Sequence, residues 1–150
     1  MLSKDDSLKD DLPKDGAAAP VRGSQTLAGV LEMSVTAQGN LIVATGSATD
    51  PYLVSLDTAS GDARALHEVR GAVRYPAISP DGKWLAFSRR DSGAWHLFVR
   101  DLGHGTEQQL TSAPCNATSP AWEDDHTLLY ISDCGRGWAL GAPARVVVQR

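Results

Sequence analysis

Between Gly39 and Pro143 the apolar residues fall in short runs: Leu41 to Ala44, Tyr52 to Leu56, Trp84 to Ser88, Trp95 to Arg100 and Leu128 to Ile131. Glycine, proline or a β-turn cluster interrupts the chain between them, which leaves no room for helices of ordinary length and favours strands. The stretch from Tyr75 to Leu110 shows the unit. A strand ends near Ile78, and Ser79-Pro80-Asp81-Gly82 supplies turn chemistry, because proline fixes φ and glycine accepts positive φ. Trp84 to Ser88 is continuously apolar, as expected of a strand covered on both faces. Arg89 to Gly93 then reads as a polar hairpin loop, Trp95 to Arg100 as a third strand, Leu102 to Gly105 as a turn, and Glu107 to Leu110 as a polar outer strand.

This unit repeats. Tyr75-Pro76-Ala77-Ile78 returns 44 residues later as Ser119-Pro120-Ala121-Trp122, followed again by a turn and an apolar run. A fainter earlier copy aligns Gly39 with Gly82, Tyr52 to Asp57 with His96 to Asp101, and Gly61 to Leu66 with Gly105 to Leu110. A period of about 40–45 residues built from short strands is the mark of a β-propeller blade. A blade cannot bury both faces of its own sheet, so each implies neighbours. The expected fold is all-β, with blades of four antiparallel strands. About three blades are present, over approximately 31–70, 71–114 and 115–150, as a partial propeller or part of a ring of about six to eight blades. Residues 1–22 form a separate tail or linker, and 23–150 the repeats.

The string from Pro76 to Ser88, with Asp101, Leu110 and Thr111 after it, resembles the WD40-like repeat of TolB-type propellers. The same repeat is found in propeller domains of prolyl-oligopeptidase-like peptidases. The likeness extends over residues 27–148 and is weakest in the first copy, where Ala37-Gln38-Gly39-Asn40 replaces Ser-Pro-Asp-Gly. It implies a non-enzymatic platform for a protein or peptide partner, frequently in the cell envelope, and it names no catalytic residue. The alternative it implies is an accessory propeller of a larger serine peptidase whose catalytic domain lies outside this chain.

With 42% hydrophobic residues, 14 glycines and 8 prolines the composition suits a globular domain, and no run is long enough to span a membrane. A net charge of −4 without a basic stripe disfavours nucleic acid as a partner. Residues 1–20 mix Lys4-Asp5-Asp6 and Lys9-Asp10-Asp11 with Ala17-Ala18-Ala19-Pro20, a composition that builds no core and lacks the apolar stretch of a secretion signal. The cysteines point the other way. If Trp122 pairs with Thr127 across the Glu123–His126 turn, the same antiparallel register sets Cys115 opposite Cys134, at a separation suited to a disulfide. That bond favours a periplasmic or extracellular setting; two reduced thiols in the cytoplasm are the alternative.

Candidate chemistry is sparse. There is no Gly-x-Ser-x-Gly elbow, and His67, His96, His104 and His126 fall in different parts of the repeats, so spacing offers neither a catalytic, a metal nor a cofactor site. Gly135-Arg136-Gly137 follows a strand with no helix behind it and reads as a hairpin connection rather than a phosphate loop. Asp124-Asp125 occupies the turn position of Asp81-Gly82, and Asn116-Ala117-Thr118 meets the glycosylation pattern. Trp84 and Trp122 are expected in the core. A partner-binding face is expected where exposed charge and aromatics meet on a scaffold: Arg89, Arg90, Asp91, Trp95, Arg136 and Trp138. Gly23 to Leu27 has the texture of an outer strand able to complete the last blade. Three blades fall short of a ring, so either missing blades or a head-to-tail homodimer would complete it.

Overall fold

The computed structural model describes residues 20–66, 69, 71–112, 114–134 and 141–148. Blade 1 holds β1 (Val30–Val35), β2 (Leu41–Gly46), β3 (Pro51–Leu56) and β4 (Ala63–Ala65). Blade 2 holds β5 (Val73–Ile78), β6 (Trp84–Asp91), β7 (Ala94–Asp101) and β8 (Glu107–Gln109), and blade 3 holds β9 (Ala117–Trp122), β10 (Thr127–Ser132) and β11 (Ala142–Val147). Each sheet is antiparallel, with its strands in chain order from the inside outward. Blade 3 has three strands among the described residues, one fewer than the repeat predicts.

The core lies between blades rather than within one. Successive residues of β6 point to opposite faces: Leu85 and Phe87 meet Ile42, Ala44 and Leu53 of blade 1, while Ala86 meets Leu128 and Val148 of blade 3. That is why this strand is apolar without alternation. Phe87 and Phe98 stack at 5.9 Å in the first junction. Trp84 and Trp122 both pack against the second junction and remain partly exposed. The inner strands add polar ties across the junctions. Arg74 pairs with Glu32, the Ile78 N–H donates to Ser34 Oγ at 3.2 Å, and Trp122 Nε1 donates to the Ala77 carbonyl at 3.0 Å.

Every blade has an irregularity on the pairing of its first two strands, between Val30 and Glu32, between Arg74 and Ala77, and opposite Leu129 and Ile131. In blades 2 and 3 the extra residue is Tyr75 or Ser119, both at positive φ (56° and 54°) and each followed by proline. The bulge corrects the register expected for blade 3. Trp122 pairs with Leu128, not Thr127, so the β9–β10 turn holds one residue more than expected and one fewer than the turn of blade 2. Past the bulge the pairing shifts by one, to Thr118 with Ile131 and Ala117 with Ser132. The cysteines therefore meet after all: Cys115 and Cys134 form a disulfide, with Cα atoms 4.9 Å apart.

Two other expectations are corrected. Arg89, Arg90 and Asp91 belong to β6, and the hairpin loop shrinks to Ser92 and Gly93, whose φ of 50° and 90° suit a tight two-residue turn. Ser24–Thr26 is a single 3-10 turn, not a strand of the last blade. It lies against blade 1, where Leu27 covers Leu41, Val43 and Leu56. Gly23 passes so close to Gly61 that a Cβ on it would stand 2.1 Å from the Gly61 carbonyl oxygen.

Aspartates shape the turns. Asp57 Oδ1 accepts the N–H groups of Ala59 and Ser60, each at 2.9 Å, and Asp101 Oδ1 accepts those of Gly103 and His104 at 2.8 and 2.9 Å. Asp57 is held below the ordinary carboxylate value by its bond from the Ser60 N–H, Asp101 by the His104 side chain, and Asp124 by the His126 N–H. A carboxylate held low in the folded state stabilises it above the unfolded value of 3.8. That contribution falls away as the pH drops through the folded-state value. Unfolding by urea is therefore expected to need progressively less denaturant below pH 4, and Asp57→Asn to lower stability at pH 7 while flattening this acid dependence. Phe87→Ala, which opens a cavity in the first junction, is expected to cost about 3–5 kcal/mol in the same measurement.

Candidate functional site

The cleft between blades 2 and 3 at the β6–β7 hairpin end holds one of the described candidate residues, Trp95. Trp95 pairs across the sheet with Arg90 and leans edge-on toward Tyr75, with ring centroids 6.4 Å apart. The bulge at Tyr75 is what turns that ring toward the cleft. Asn116, just before β9, fixes the other wall: its Oδ1 accepts the Trp95 N–H at 2.9 Å. Its own N–H and Nδ2 donate to the two carboxylate oxygens of Asp133 at 2.6 and 2.7 Å. Asp133 is consequently held below its ordinary value, first by the Asn116 side chain. The disulfide flanks this clasp on both strands. Tyr75, Trp95, Thr118 and Gly141 border a hollow of about 220 Å³ beside it.

The other candidates separate. Arg89 is committed within its blade: it pairs with Glu107 and lies 3.7 Å over the Phe98 ring, with little of its side chain exposed. Arg90 and Asp91 are exposed at the hairpin tip, where Asp91 accepts from Ser92 Oγ at 3.2 Å. Arg136, Trp138 and the Gly135–Gly137 segment lie outside the described residues, as does His67. The candidate site as described is thus Trp95 in the cleft and Arg90 and Asp91 at the hairpin tip above it, joined by Tyr75, Asn116 and Asp133. Sequence reasoning missed the last three as site residues, because their approach depends on a bulge and on a contact between two blades.

The remaining polar groups have structural tasks. Asp124 accepts the His126 and Thr127 N–H groups, and Asp125 accepts the Asp81 N–H across the blade junction at 2.8 Å. His104 pairs with Asp101, while His96 is buried and no group among the described residues bonds its Nδ1. Among the described residues no three His, Cys, Asp or Glu side chains form a metal-binding group. The Asn116 side chain is bonded at both ends of its amide, so a glycan there would have to dismantle the clasp. A second hollow, of about 470 Å³, runs over the three inner strands past Ser34, Val35, Pro76, Pro80, Pro120 and Trp122. It exists only where the repeats stand side by side, so no single stretch of sequence announces it.

No protein-family model matches the chain. Over 97 residues it is 29% identical to the Tol-Pal system protein TolB of Wolinella succinogenes, a match spanning 64% of this chain and 23% of that protein. TolB from Acinetobacter baumannii superposes with a TM-score of 0.61 at 16% identity, covering 82% of this chain and 33% of that one. The β-propeller domain of the Trilobed protease from Pyrococcus furiosus gives 0.54 at 22% identity, covering 70% and 34%. The chain spans about a quarter to a third of the proteins it resembles. The strand order, the junction cores and these likenesses support one conclusion: the described residues form three β-propeller blades that resemble those of TolB.

Proposed function

We propose that the chain is a non-enzymatic β-propeller module that binds a protein or peptide in the cell envelope. The sequence match to TolB carries this reading. The Cys115–Cys134 disulfide supports an oxidising compartment such as the periplasm, since the cytosol keeps thiols reduced. The cleft at the β6–β7 hairpin is suited to recognition rather than to chemistry. It offers an aromatic edge, an exposed cation and carboxylate at Arg90 and Asp91, and no nucleophile beside a base among the described residues. Rigid blades beneath an exposed tip hold such groups at low entropic cost. We place the partner-binding face there; Arg136 and Trp138, expected from the sequence to share it, lie outside the described residues.

The second reading is an accessory propeller that presents substrate to a serine-peptidase domain, and the fold likeness to the Trilobed protease propeller favours it. Adjoining coding sequence separates the two. A nucleophile elbow downstream supports the peptidase reading; further repeats without one support the binding module.

A photo-crosslinker placed at Arg90 is expected to trap a discrete envelope polypeptide that the same group at Asn40, on the opposite end of blade 1, does not trap. Equal patterns from the two positions would remove the hairpin tip as the binding face. Thiol titration of protein recovered from an oxidising compartment is expected to find no free cysteine. Cys134→Ser is expected to lower stability by about 3 kcal/mol, the loop-closure term for a cross-link of this span.

A further inference from the structure

The hollow beside the Asn116–Asp133 clasp holds a negative charge that no described cation answers. Asp133 borders it together with Tyr75, Trp95, Asn116 and Thr118. Both of its carboxylate oxygens accept bonds from Asn116, at 2.6 and 2.7 Å. Those bonds, the Asn116 side chain first, hold it below the ordinary carboxylate value, so it is ionised at neutral pH. A carboxylate offers about four lone-pair sites, and the Asn116 donors leave the others open. No Lys, Arg or His among the described residues forms an ion pair with Asp133. Arg74 stacks on the Tyr75 ring at 5.0 Å, but its guanidinium is committed to Glu32. Arg90 stands opposite Trp95 in the sheet, yet it is not part of the lining of the hollow.

The repeat does not demand these groups. The Asp133 N–H donates to the Asn116 carbonyl at 3.3 Å, as the Arg90 N–H donates to the Ala72 carbonyl at 3.0 Å in blade 2. Two equivalent positions thus carry asparagine and aspartate in blade 3 but alanine and arginine in blade 2. Trp95, opposite Arg90, stands where blade 1 has Pro51 opposite Gly46. Tyr75 stands where blade 3 has Ser119, at the same positive φ. The backbone pattern accepts all of these residues, so the two rings and the carboxylate belong to this hollow rather than to blade architecture.

We propose that the hollow takes the side chain of a lysine or arginine from a peptide partner. The inference rests on the hairpin end being the partner-binding face, and adds what that face selects. At about 220 Å³ the hollow is smaller than the roughly 300 Å³ at which pockets for drug-sized ligands begin, and it suits one side chain. The aliphatic stem of the incoming residue lies along Tyr75 and Trp95, whose rings also attract its charge. Its head reaches the open lone pairs of Asp133 in a charge-assisted hydrogen bond. An acidic side chain is repelled by the same carboxylate, and a neutral one of equal length leaves it unanswered. Every group in this contact comes from blades 2 and 3.

Peptides Gly-Lys-Gly, Gly-Arg-Gly and Gly-norleucine-Gly, capped so that only the side chain can carry charge, test this by NMR titration of the whole chain. The indole N–H signal of Trp95, identified by its loss in Trp95→Phe, is expected to shift saturably with the lysine and arginine peptides. Affinity for the norleucine peptide is expected to be at least about tenfold weaker, as loss of one charged hydrogen bond implies. Asp133→Asn keeps an acceptor for Asn116 but drops the charge, and is expected to bring the lysine peptide to the norleucine level. Circular dichroism and thiol titration check that this variant is folded and cross-linked. If it is not, Tyr75→Leu is read instead, and is expected to weaken the lysine peptide more than the norleucine one. Equal binding of lysine and norleucine, or undiminished lysine binding in Asp133→Asn, would overturn the proposal while leaving the crosslinker at Arg90 to decide the binding face. Lysine binding that appears only in Arg90→Gln or Arg136→Gln would overturn it too, because a cation of this chain then fills the hollow. Lysine selectivity without any crosslinked polypeptide would uphold the cation site and strike the hairpin tip as the envelope-binding face.

Discussion

The structure depends on burying both faces of a small sheet at once. A four-stranded blade has no interior of its own. Its second strand can be apolar on both sides only because a blade stands on each side of it. Phe87 and Leu85 look one way, Ala86 the other, and all three are fully buried. From this constraint follow the unbroken apolar runs, the spacing of the turns that return each strand, and the small residues opposite large ones across a junction. It also explains why polar ties concentrate on the inner strands. There the blades converge, and Glu32–Arg74, Ser34–Ile78 and Ala77–Trp122 fix their angle as well as their contact.

The architecture was legible in the chain because period and turn chemistry are local properties. Ser79-Pro80-Asp81-Gly82 writes its own turn, and Asp57 and Asp101 write theirs, whatever stands next to them. What was not legible depends on non-local balance. Nothing in Gly23 to Leu27 distinguishes a polar outer strand from a 3-10 turn; the choice is made by the apolar face of blade 1, which draws in Leu27. Arg89 reads as a loop charge in a string of polar residues. In the fold it is a strand residue whose guanidinium is spent on Glu107 and Phe98. Near the turn of blade 3 the register lies one residue from what the sequence predicts, and the bulge at Ser119 restores the pairing that brings the cysteines together.

The bulges join fold to site. A regular inner strand would send alternate side chains to alternate faces without exception. The extra residue at Tyr75 breaks that alternation, adds local twist and brings its ring toward Trp95. Proline follows the bulge in both blades 2 and 3. Lacking an N–H, each of these buried prolines leaves the inner strand with one fewer donor for stray strand pairing. The same device therefore shapes the proposed binding cleft and removes a donor from the inner strand beside it.

The clasp between Cys115–Cys134 and Asn116–Asp133 sits where the scaffold most needs it. Blades 1 and 2 are tied on the outside by β4 and β8, and Leu66 and Leu110 continue those ties with backbone bonds to the Leu53 and Leu97 carbonyls at 2.8 Å. Blade 3 has no such outer strand among the described residues, so β10 and β11 gain less from their sheet. A covalent link between the segments flanking β9 and β10 removes conformational freedom from the unfolded chain instead. Because Asn116 then reaches across to the Trp95 N–H, the link holds two blades in place rather than one hairpin. Stability at the weak end of the stack and rigidity of the proposed binding cleft thus come from one group of residues. Reducing the disulfide would loosen both together, which a purely decorative cross-link would not do.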